Sequence, residues 1–485
     1  MGQVQRIVKN SFVTGVGGII AAGLNFLTIM IIARHLGISR FGYYAFVMAF
    51  VGIFQLVADL GVRNILIRDV SVDKKRLERS LGITKFLIWI LSVIAFLAIA
   101  VIINIIGQTQ EVILSVYIAG IAVITTFHAV GYGAVCRAFE DMELNAIGNV
   151  LHKGMFLLLI SVGVRLGVGL RGLFTCLLIS NISLWAYYYM IVRKKYIRPR
   201  LYIDINASWS TLKEAFPLGI AGIFRKATWQ VDTLILTGMT DVATVGLFSS
   251  AYKIIQAINL LPLTLALPLF PAFSRLANIS EKRLFASFEK SLRFLWTFSL
   301  PITVVITLLS DKIILRIFGK EFIDASSSLQ ILSWALIFLF STSLYLYLFT
   351  AMGKQMMYTI SSGICLVINI ILDILFIPIY GYIGASIATL ASEMILFGTG
   401  FFFLMRMGCR ISILNIAWRP VCGSIVMGAI IYQVRDLPLL WLSSGIGLGL
   451  LLYGTIILLS KGLSQEEIAS IIGDRYFKLI KVPKS

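Results

Sequence analysis

Fourteen stretches of about 20 predominantly apolar residues constrain the fold more than any other feature of this sequence. An α-helix of that length crosses a hydrocarbon core of about 30 Å, and its backbone hydrogen bonds are satisfied internally. The sequence therefore predicts an all-α integral membrane protein with about 14 transmembrane helices. The stretches cover residues 11–33, 41–66, 81–106, 112–135, 145–166, 171–192, 211–238, 247–272, 287–310, 327–350, 356–377, 382–405, 415–433 and 439–460.

The charge composition excludes a soluble nucleic-acid binder. Only 13% of the 485 residues are charged, against about 25% in soluble domains, and the mean hydropathy is +0.92. The net charge is nevertheless +19. We therefore assign the excess positive charge to membrane lipids and topology, with no nucleic-acid partner.

The distribution of Lys and Arg predicts the orientation in the membrane. One set of loops, which includes both termini, holds 24 of the 42 cations, whereas the opposite set holds 8. Cytoplasmic loops carry the excess of Lys and Arg. The sequence predicts a multi-pass protein of the cytoplasmic membrane with both termini in the cytoplasm.

Two pairs of similar segments indicate an internal repeat. Phe41-Gly42-Tyr43-Tyr44-Ala45 matches Val245-Gly246-Leu247-Phe248-Ser249, and Gly169-x-x-Gly172 matches Gly381-x-x-Gly384 about six spans later. Six spans between copies make the repeats parallel, although chance similarity among apolar helices is the alternative. We expect two parallel six-helix lobes with a transport cavity between them, plus two extra helices.

The repeat predicts three regions of the chain. Residues 1–200 form the amino-terminal lobe, with helices 1–6 and a basic linker around Pro199, and residues 201–409 form the carboxy-terminal lobe, with helices 7–12. Residues 410–485 hold helices 13 and 14 and a cytoplasmic amphipathic tail, whose short helix is capped by Ser464 and Glu467.

No motif in this sequence indicates an enzyme. Five scattered cysteines and three histidines lack metal-ligand spacing, and no phosphate-binding loop, nucleophile elbow or paired carboxylate motif occurs. A membrane-embedded glycosyltransferase or ligase is the competing class, but the longest outer loop covers only about residues 310–326. We therefore predict that the chain is not an enzyme and has no cofactor.

A first group of polar residues within the spans is cationic. Such residues are costly in hydrocarbon and usually mark a substrate or ion pathway. In a cavity between lobes they would attract an anionic, phosphate-bearing substrate. Ion pairing within the membrane, such as Asp59 with Arg63, is the alternative. The group comprises Arg63, Lys153, Arg225, Lys226 and Lys253.

A second group supplies oxygen atoms. Asn369 and Asp373 lie four residues apart, as do Thr389 and Glu393, so each pair shares one face of a helix. Together with Asp232, these residues predict a site for a coupling Na⁺ or H⁺. Hydrogen bonding between helices without an ion is the alternative.

Three motifs resemble those of the polysaccharide and oligosaccharide flippases, the Wzx-like branch of the multidrug/oligosaccharidyl-lipid/polysaccharide (MOP) superfamily. The resemblance covers essentially the whole chain and implies a MATE-like fold. The motifs are ARHLGISRFGYYAFVMAFVGIFQLVADLGVRNILIRDVS from Ala33, DTLILTGMTDVATVGLFSSAYKIIQ from Asp232 and INIILDILFIPIYGYIGASIATLASE from Ile368.

The resemblance implies a function and a set of site residues. It implies translocation of a polyprenyl-diphosphate-linked oligosaccharide by alternating access for surface polysaccharide export, with a polysaccharide polymerase as a candidate partner. Related lipid II flippases hold sodium at positions that match Asp232, Asn369, Asp373 and Thr389, and Ala385 is placed to add a carbonyl. This chain departs from those relatives in its first span, where Asn25 replaces any arginine as the strong polar group.

A cation-coupled multidrug exporter of the same superfamily remains the alternative function. Its organic-cation substrates favour an acidic chamber, whereas a lipid diphosphate favours a basic one. The sign of the charge in the cavity is therefore the feature that separates the two.

Overall fold

The computed structural model describes residues 3–460, with side chains described for all of these except residues 3–8, 11–12, 56–59, 217–218, 221, 263, 268 and 439. Within these residues the chain forms seventeen α-helices and no strand. The predicted amphipathic helix around Ser464 and Glu467 lies outside the described residues, and so does the Asp59 carboxylate proposed to pair with Arg63.

The helices follow one another with short connections. The first six are α1 (Gln3–Asp59), α2 (Val62–Val72), α3 (Leu77–Ile106), α4 (Gln110–Ala138), α5 (Met142–Arg165) and α6 (Leu170–Ile191). The next six are α7 (Ile205–Met239), α8 (Val242–Ile258), α9 (Leu260–Ala266), α10 (Phe270–Ala277), α11 (Glu281–Leu308) and α12 (Ser310–Ile317). The last five are α13 (Ala325–Ala351), α14 (Gln355–Tyr380), α15 (Tyr382–Arg406), α16 (Ile413–Val434) and α17 (Leu439–Leu459).

Eleven of the described helices are long and apolar enough to cross a membrane, or twelve when the bent run from α8 to α10 is one span. The exact count of fourteen therefore stays a prediction. Two features explain why the structure has fewer candidate spans than the fourteen predicted. Helix α1 is one 57-residue helix that contains two predicted stretches, and α7 carries five charged residues. The second stretch was predicted to run to residue 66, but left-handed backbone at Leu60 and Gly61 breaks the helix earlier.

A reversal inside α1 defines two faces of the helix bundle. Gly37 has φ 70° and ψ 177°, a left-handed conformation that costs glycine little. Helices α7 and α8 are joined by a short turn and pack on each other through Trp229 and Tyr252, so they are antiparallel. Beside them, Gly15 faces Thr264 beyond the end of α8, and Gly52 faces Gln230 within α7. The two halves of α1 therefore run in opposite directions from Gly37. We call the face at which α1 begins the proximal face and the face at Gly37 the distal face. Under the predicted orientation, the proximal face is cytoplasmic.

Exposed apolar side chains cover the sides of the bundle. On α3, Val93, Leu97 and Val101 follow one another at one-turn spacing and are 40%, 58% and 58% exposed, whereas Leu91, Ala95 and Ile99 on the other face are buried. A helix with apolar residues on both faces is suited to lipid on one side and protein on the other. The chain is a multi-pass membrane protein.

The helices pack in two groups that meet along α1. In the first group α1 packs on α5, α4 packs on α3 and α6, and α5 packs on α6. In the second group α7 packs on α14, and α13 packs on α8, α11 and α15. Between the groups α1 contacts α7 and α8, while α16 and α17 form a pair against α11. The division at residues 200 and 409 remains a prediction.

The glycines of the proposed repeat contact the opposite copy at the distal face. A Cβ atom at Gly42 would lie 2.0 Å from the Val242 carbonyl oxygen. A Cβ atom at Gly246 would lie 2.3 Å from the Ile38 carbonyl oxygen. Each glycine thus accommodates backbone of the other helix, so the contact between α1 and α8 is reciprocal. This contact joins the two helix groups at the distal face.

Candidate functional site

Four of the predicted oxygen donors come together in the second helix group. Asp232 lies on α7, Asn369 and Asp373 on α14 and Thr389 on α15. They meet because α7 packs on α14, and α14 turns directly into α15 at Gly381. The hydroxyl of Thr389 lies 2.8 Å from Asp232 Oδ2 and 2.9 Å from the carbonyl oxygen of Ala385. All four side chains are at most 4% exposed.

Several polar atoms of this cluster have no hydrogen-bond partner in the described part of the chain. They are Asp232 Oδ1, both carboxylate oxygens of Asp373 and both amide atoms of Asn369. Asp373, Thr389 and Asn369 surround the Asp232 carboxyl group. Among the described residues, the Asp373 carboxylate thus has no hydrogen-bond partner and the Asp232 carboxylate has one unpartnered oxygen. Two such buried carboxylates are strongly unfavourable unless a cation or a proton compensates them. The atoms therefore fit a cation held by oxygens alone.

The chemistry of the ligand atoms limits which ions this cluster can bind. Carboxylate, amide and carbonyl oxygens suit hard cations, whereas zinc and copper sites use His and Cys. Among the described residues no group of three His, Cys, Asp or Glu side chains is placed to hold a metal ion. The residues available to hold Na⁺ are Asp232, Asn369, Asp373, Thr389 and the carbonyl of Ala385, and either carboxylate can instead carry a proton.

A buried ion pair lies one helical turn from this cluster. Arg225 Nη1 is 2.6 Å from Glu393 Oε1, and the two side chains are 18% and 3% exposed. Glu393 follows Thr389 by one turn of α15. Glu393 therefore balances the charge of Arg225 in this structure. The second oxygen of Glu393 has no hydrogen-bond partner in the described residues.

Lys253 lies in a cleft between the two helix groups. The cleft is lined by the second half of α1 together with α7 and α8, and includes Trp229, Gln230 and Tyr252. Lys253 Nζ donates to Gln256 Oε1 at 2.8 Å. The cleft measures about 10 Å³, roughly the room for one water molecule. A substrate therefore requires α1 to separate from α7 and α8.

Aromatic rings connect Arg225 with Lys253. The Arg225 guanidinium carbon lies 5.5 Å from the centre of the Trp229 ring, and that ring centre lies 5.3 Å from the Tyr252 ring. Both rings line the cleft of Lys253. The structure thus brings two of the five predicted cations into one neighbourhood on α7 and α8.

The other three predicted cations lie elsewhere. Lys153 Nζ donates to Asn25 Oδ1 at 3.0 Å, which links α5 to the first half of α1. Arg63 is half-buried on the short helix α2, and Lys226 is exposed on α7. Asn25, the one strong polar group of the first span, therefore has Lys153 as its partner.

Sequence reasoning missed four residues of the Lys253 cleft: Trp229, Gln230, Tyr252 and Gln256. Helical spacing in the sequence could have identified two of them. Gln256 follows Lys253 by three residues and Trp229 follows Arg225 by four, so each lies one turn from a predicted cation. Gln230 and Tyr252 required knowledge of how α7 faces α8.

Comparisons with known proteins agree with this architecture. The polysaccharide biosynthesis protein family model matches residues 7–277, more than half of the chain. The relative named "Probable low-salt glycan biosynthesis flippase Agl15" from Haloferax volcanii is 24% identical and covers 96% of this chain and 98% of its own length.

Two solved structures share the fold. The lipid II flippase MurJ in an inward closed conformation has a TM-score of 0.75 at 19% identity and covers 92% of this chain and 98% of its own. An inward-facing multidrug resistance MATE family transporter of the MOP superfamily has a TM-score of 0.67 at 17% identity, covering 80% and 94%. The predicted MATE-like, all-helical fold is confirmed. This chain belongs to the polysaccharide biosynthesis protein family.

Proposed function

We propose that this chain is a flippase, not an enzyme, that moves a polyprenyl-diphosphate-linked oligosaccharide across the cytoplasmic membrane for surface polysaccharide export. The observation that carries the proposal is Lys253, a cation in a cleft between the two helix groups of a protein from a polysaccharide biosynthesis family. The flippase name of the Haloferax relative, which aligns over almost the full length of both chains, supports it.

The charge of the cleft favours a lipid diphosphate over an organic cation. The lining residues that the structure describes include Lys253, two glutamines and two aromatic rings, and none of them is a carboxylate. A phosphate gains charge-assisted hydrogen bonds from an ammonium group and from amide donors. Trp229 and Tyr252 offer flat apolar surfaces that suit the faces of sugar rings.

Alternating access fits the contacts between the helix groups. The distal contact at Gly42 and Gly246 must open for the Lys253 cleft to face the distal side. The proximal side carries its own cross-link, because Arg68 of α2 lies 2.7 Å from Glu214 of α7. We propose that these two contacts open in alternation, with the proximal face and both termini in the cytoplasm.

A coupling cation, Na⁺ or H⁺, is part of the proposal. The unpartnered oxygens of Asp232 and Asp373 support a site on α7, α14 and α15. Neutralising these carboxylates allows the three helices to pack closely. Because Arg225, Trp229 and Asp232 share α7, a shift of this helix affects both the cation cluster and the cleft wall. A polysaccharide polymerase is the proposed protein partner downstream.

Replacing Lys253 by Gln tests the proposal in cells. In a strain that lacks the natural gene, the parent chain is expected to restore surface polysaccharide, while Lys253→Gln lowers export at least tenfold and lets lipid-linked oligosaccharide accumulate. Lys213→Gln, an exposed lysine near the start of α7, serves as the matched control. Equal export by both variants would refute the assigned cleft.

A multidrug exporter is the second candidate, and the MATE fold is the observation that favours it. That function predicts efflux of organic cations by the parent chain. Cells that express the chain are expected to show unchanged accumulation of a fluorescent organic cation. Efflux that falls in Asp232→Asn would instead support the exporter.

A further inference from the structure

A second basic cavity lies at the distal face, apart from the Lys253 cleft. It is an open cavity with a volume of about 890 Å³, bordered by the end of the first half of α1, the short helix α12 and the start of α17. Its walls combine cationic and apolar side chains, among them Arg34, Leu309, Lys312, Ile313, Arg316 and Leu442. The cation cluster and the Lys253 cleft use none of these residues.

Three cations converge on this cavity. Lys312 and Arg316 are four residues apart on α12, so both project from one face of that helix. Arg34 comes from α1 and donates from Nε to the Ile317 carbonyl oxygen at 2.8 Å and from Nη2 to the Arg316 carbonyl oxygen. The Arg34 guanidinium therefore satisfies terminal carbonyls of α12 and is held at the cavity wall.

Among the described residues, no carboxylate lines the cavity to balance these charges. Asp436 approaches from the rim, where its Oδ1 is 3.9 Å from Lys312 Nζ, but its side chain is 79% exposed. The other carboxylate oxygen of Asp436 is 3.3 Å from Arg435 Nε. An exposed carboxylate shared between two cations screens little of a three-cation cavity. The interior is therefore suited to an anion.

The concentration of cations here is unusual for this face of the protein. The sequence assigns only eight of its 42 Lys and Arg residues to the distal loops, and three of those eight line this one cavity. The apolar walls, formed by Leu309, Ile313 and Leu442, distinguish it from a site for a free inorganic ion. A ligand with both an anionic head and a hydrocarbon part matches both kinds of wall.

We propose that this cavity binds the phosphate group of a lipid in the leaflet at the distal face. Lys312 and Arg316 contact the phosphate oxygens, Arg34 holds α12 in place, and the adjoining leucine and isoleucine side chains contact the start of the hydrocarbon chain. The phosphate belongs either to a resident anionic phospholipid or to the polyprenyl carrier of the transported oligosaccharide. The site itself does not depend on the proposed transport function.

Lipid binding to the full-length chain tests the proposal. The purified protein in detergent is titrated with phosphatidylglycerol, phosphatidylcholine and undecaprenyl diphosphate, and bound lipid is counted by native mass spectrometry. The test variant is Lys312→Gln/Arg316→Gln. The matched control is Arg165→Gln/Arg171→Gln, which removes two exposed distal cations away from the cavity. Size-exclusion chromatography and thermal unfolding establish that both variants are folded.

The expected result is tighter binding of an anionic lipid than of phosphatidylcholine by the parent chain. Each cation near a membrane surface contributes about a fivefold factor in affinity, so the test variant is expected to lose about 25-fold. The control variant is expected to change less than twofold.

The choice of lipid identifies the source of the phosphate. Binding of phosphatidylglycerol that falls in the test variant indicates a resident phospholipid, and binding of undecaprenyl diphosphate alone indicates the polyprenyl carrier. Equal affinity of the parent and the test variant for every anionic lipid would overturn the proposal. A loss in the transport assay of Lys253→Gln does not bear on this result, so the two proposals fail independently.

Discussion

Replacing Gly246 by Ala is expected to open the distal contact between the helix groups. The added Cβ atom would lie 2.3 Å from the Ile38 carbonyl oxygen and 3.1 Å from its carbonyl carbon. Ordinary contact requires about 3.4 Å, so α1 and α8 must separate by about 1 Å. The neighbour is backbone, which cannot rotate away, and such overpacking costs about 1–3 kcal/mol. That cost falls on the distal-closed state alone.

The expected shift in population follows from this energy. Because 1.4 kcal/mol corresponds to a factor of ten, the distal-open state should become about 5- to 100-fold more populated. Ser249 lines the Lys253 cleft and is 2% exposed in the closed state. In a chain without native cysteines, a Ser249→Cys reporter is expected to react with a membrane-impermeant maleimide faster by about that factor.

The control variant is Gly238→Ala. A Cβ atom at Gly238 meets nothing within 4 Å, and this helical glycine lies eight residues before Gly246. It is therefore expected to leave the labelling rate unchanged. An unaltered rate in a folded Gly246→Ala protein would refute the assignment of this contact as the distal closure.

Three further predictions concern the cation cluster, its neighbouring ion pair and the start of α7. Asp373→Asn is expected to raise thermal stability in choline chloride, because it removes a buried carboxylate whose two oxygens have no hydrogen-bond partner among the described residues. The same variant is expected to abolish the increase in Tm that sodium chloride produces in the parent chain. Glu393→Gln is expected to cost about 3–5 kcal/mol in denaturant unfolding because Arg225 loses its buried partner, whereas Arg225→Met/Glu393→Leu should recover most of that loss. Asp204→Ala is expected to lower Tm at pH 7 because its carboxylate accepts the Ala207 N–H at the start of α7. This hydrogen bond holds the pKa of Asp204 below its usual value. The stability that the Asp204 carboxylate contributes is therefore present above about pH 4 and is lost as the pH falls further. The difference in Tm between Asp204→Ala and the parent should vanish in acid.

The contradicting outcomes are specific to each of these three variants. A sodium-dependent Tm that survives in Asp373→Asn would remove Asp373 from the cation site. A double variant at Arg225 and Glu393 as unstable as Glu393→Gln would show that the pair is not the source of the loss. A pH-independent effect of Asp204→Ala would contradict its role as a charged cap.

Much of the fold could be predicted from the sequence because the lipid bilayer requires apolar side chains and a backbone whose hydrogen bonds are satisfied internally. Long apolar stretches predicted helices, and two pairs of similar segments predicted the repeat. Gly42 and Gly246, which belong to one of these pairs, each contact backbone of the other helix in the structure. The gap between the stretches at residues 11–33 and 41–66 predicted a turn there, and the structure places it at Gly37. Apolarity alone could not locate the break at Leu60 and Gly61. This break depends on local backbone conformation, which hydropathy does not encode.

Part of the candidate site could also be predicted from the sequence, because polar residues stand out in apolar helices. Polar residues four apart on an apolar helix share a face, so the sequence predicts that Asn369 and Asp373 act together. Which helices face each other was not encoded locally. For that reason the pairing of Arg225 with Glu393 and the bond from Lys153 to Asn25 required the structure. Long-range contacts of this kind depend on the packing of the whole bundle.

Reconstituted transport tests directly whether this chain is a flippase that uses Lys253. The purified chain is placed in proteoliposomes with a fluorescent polyprenyl-diphosphate oligosaccharide, and its movement between leaflets is followed by quenching with a membrane-impermeant reductant under imposed Na⁺ or H⁺ gradients. We expect transport by the parent chain that one of these gradients accelerates, with at least a tenfold loss in Lys253→Gln. Transport that is equal in protein-free liposomes, or equal in Lys253→Gln and the parent, would contradict it.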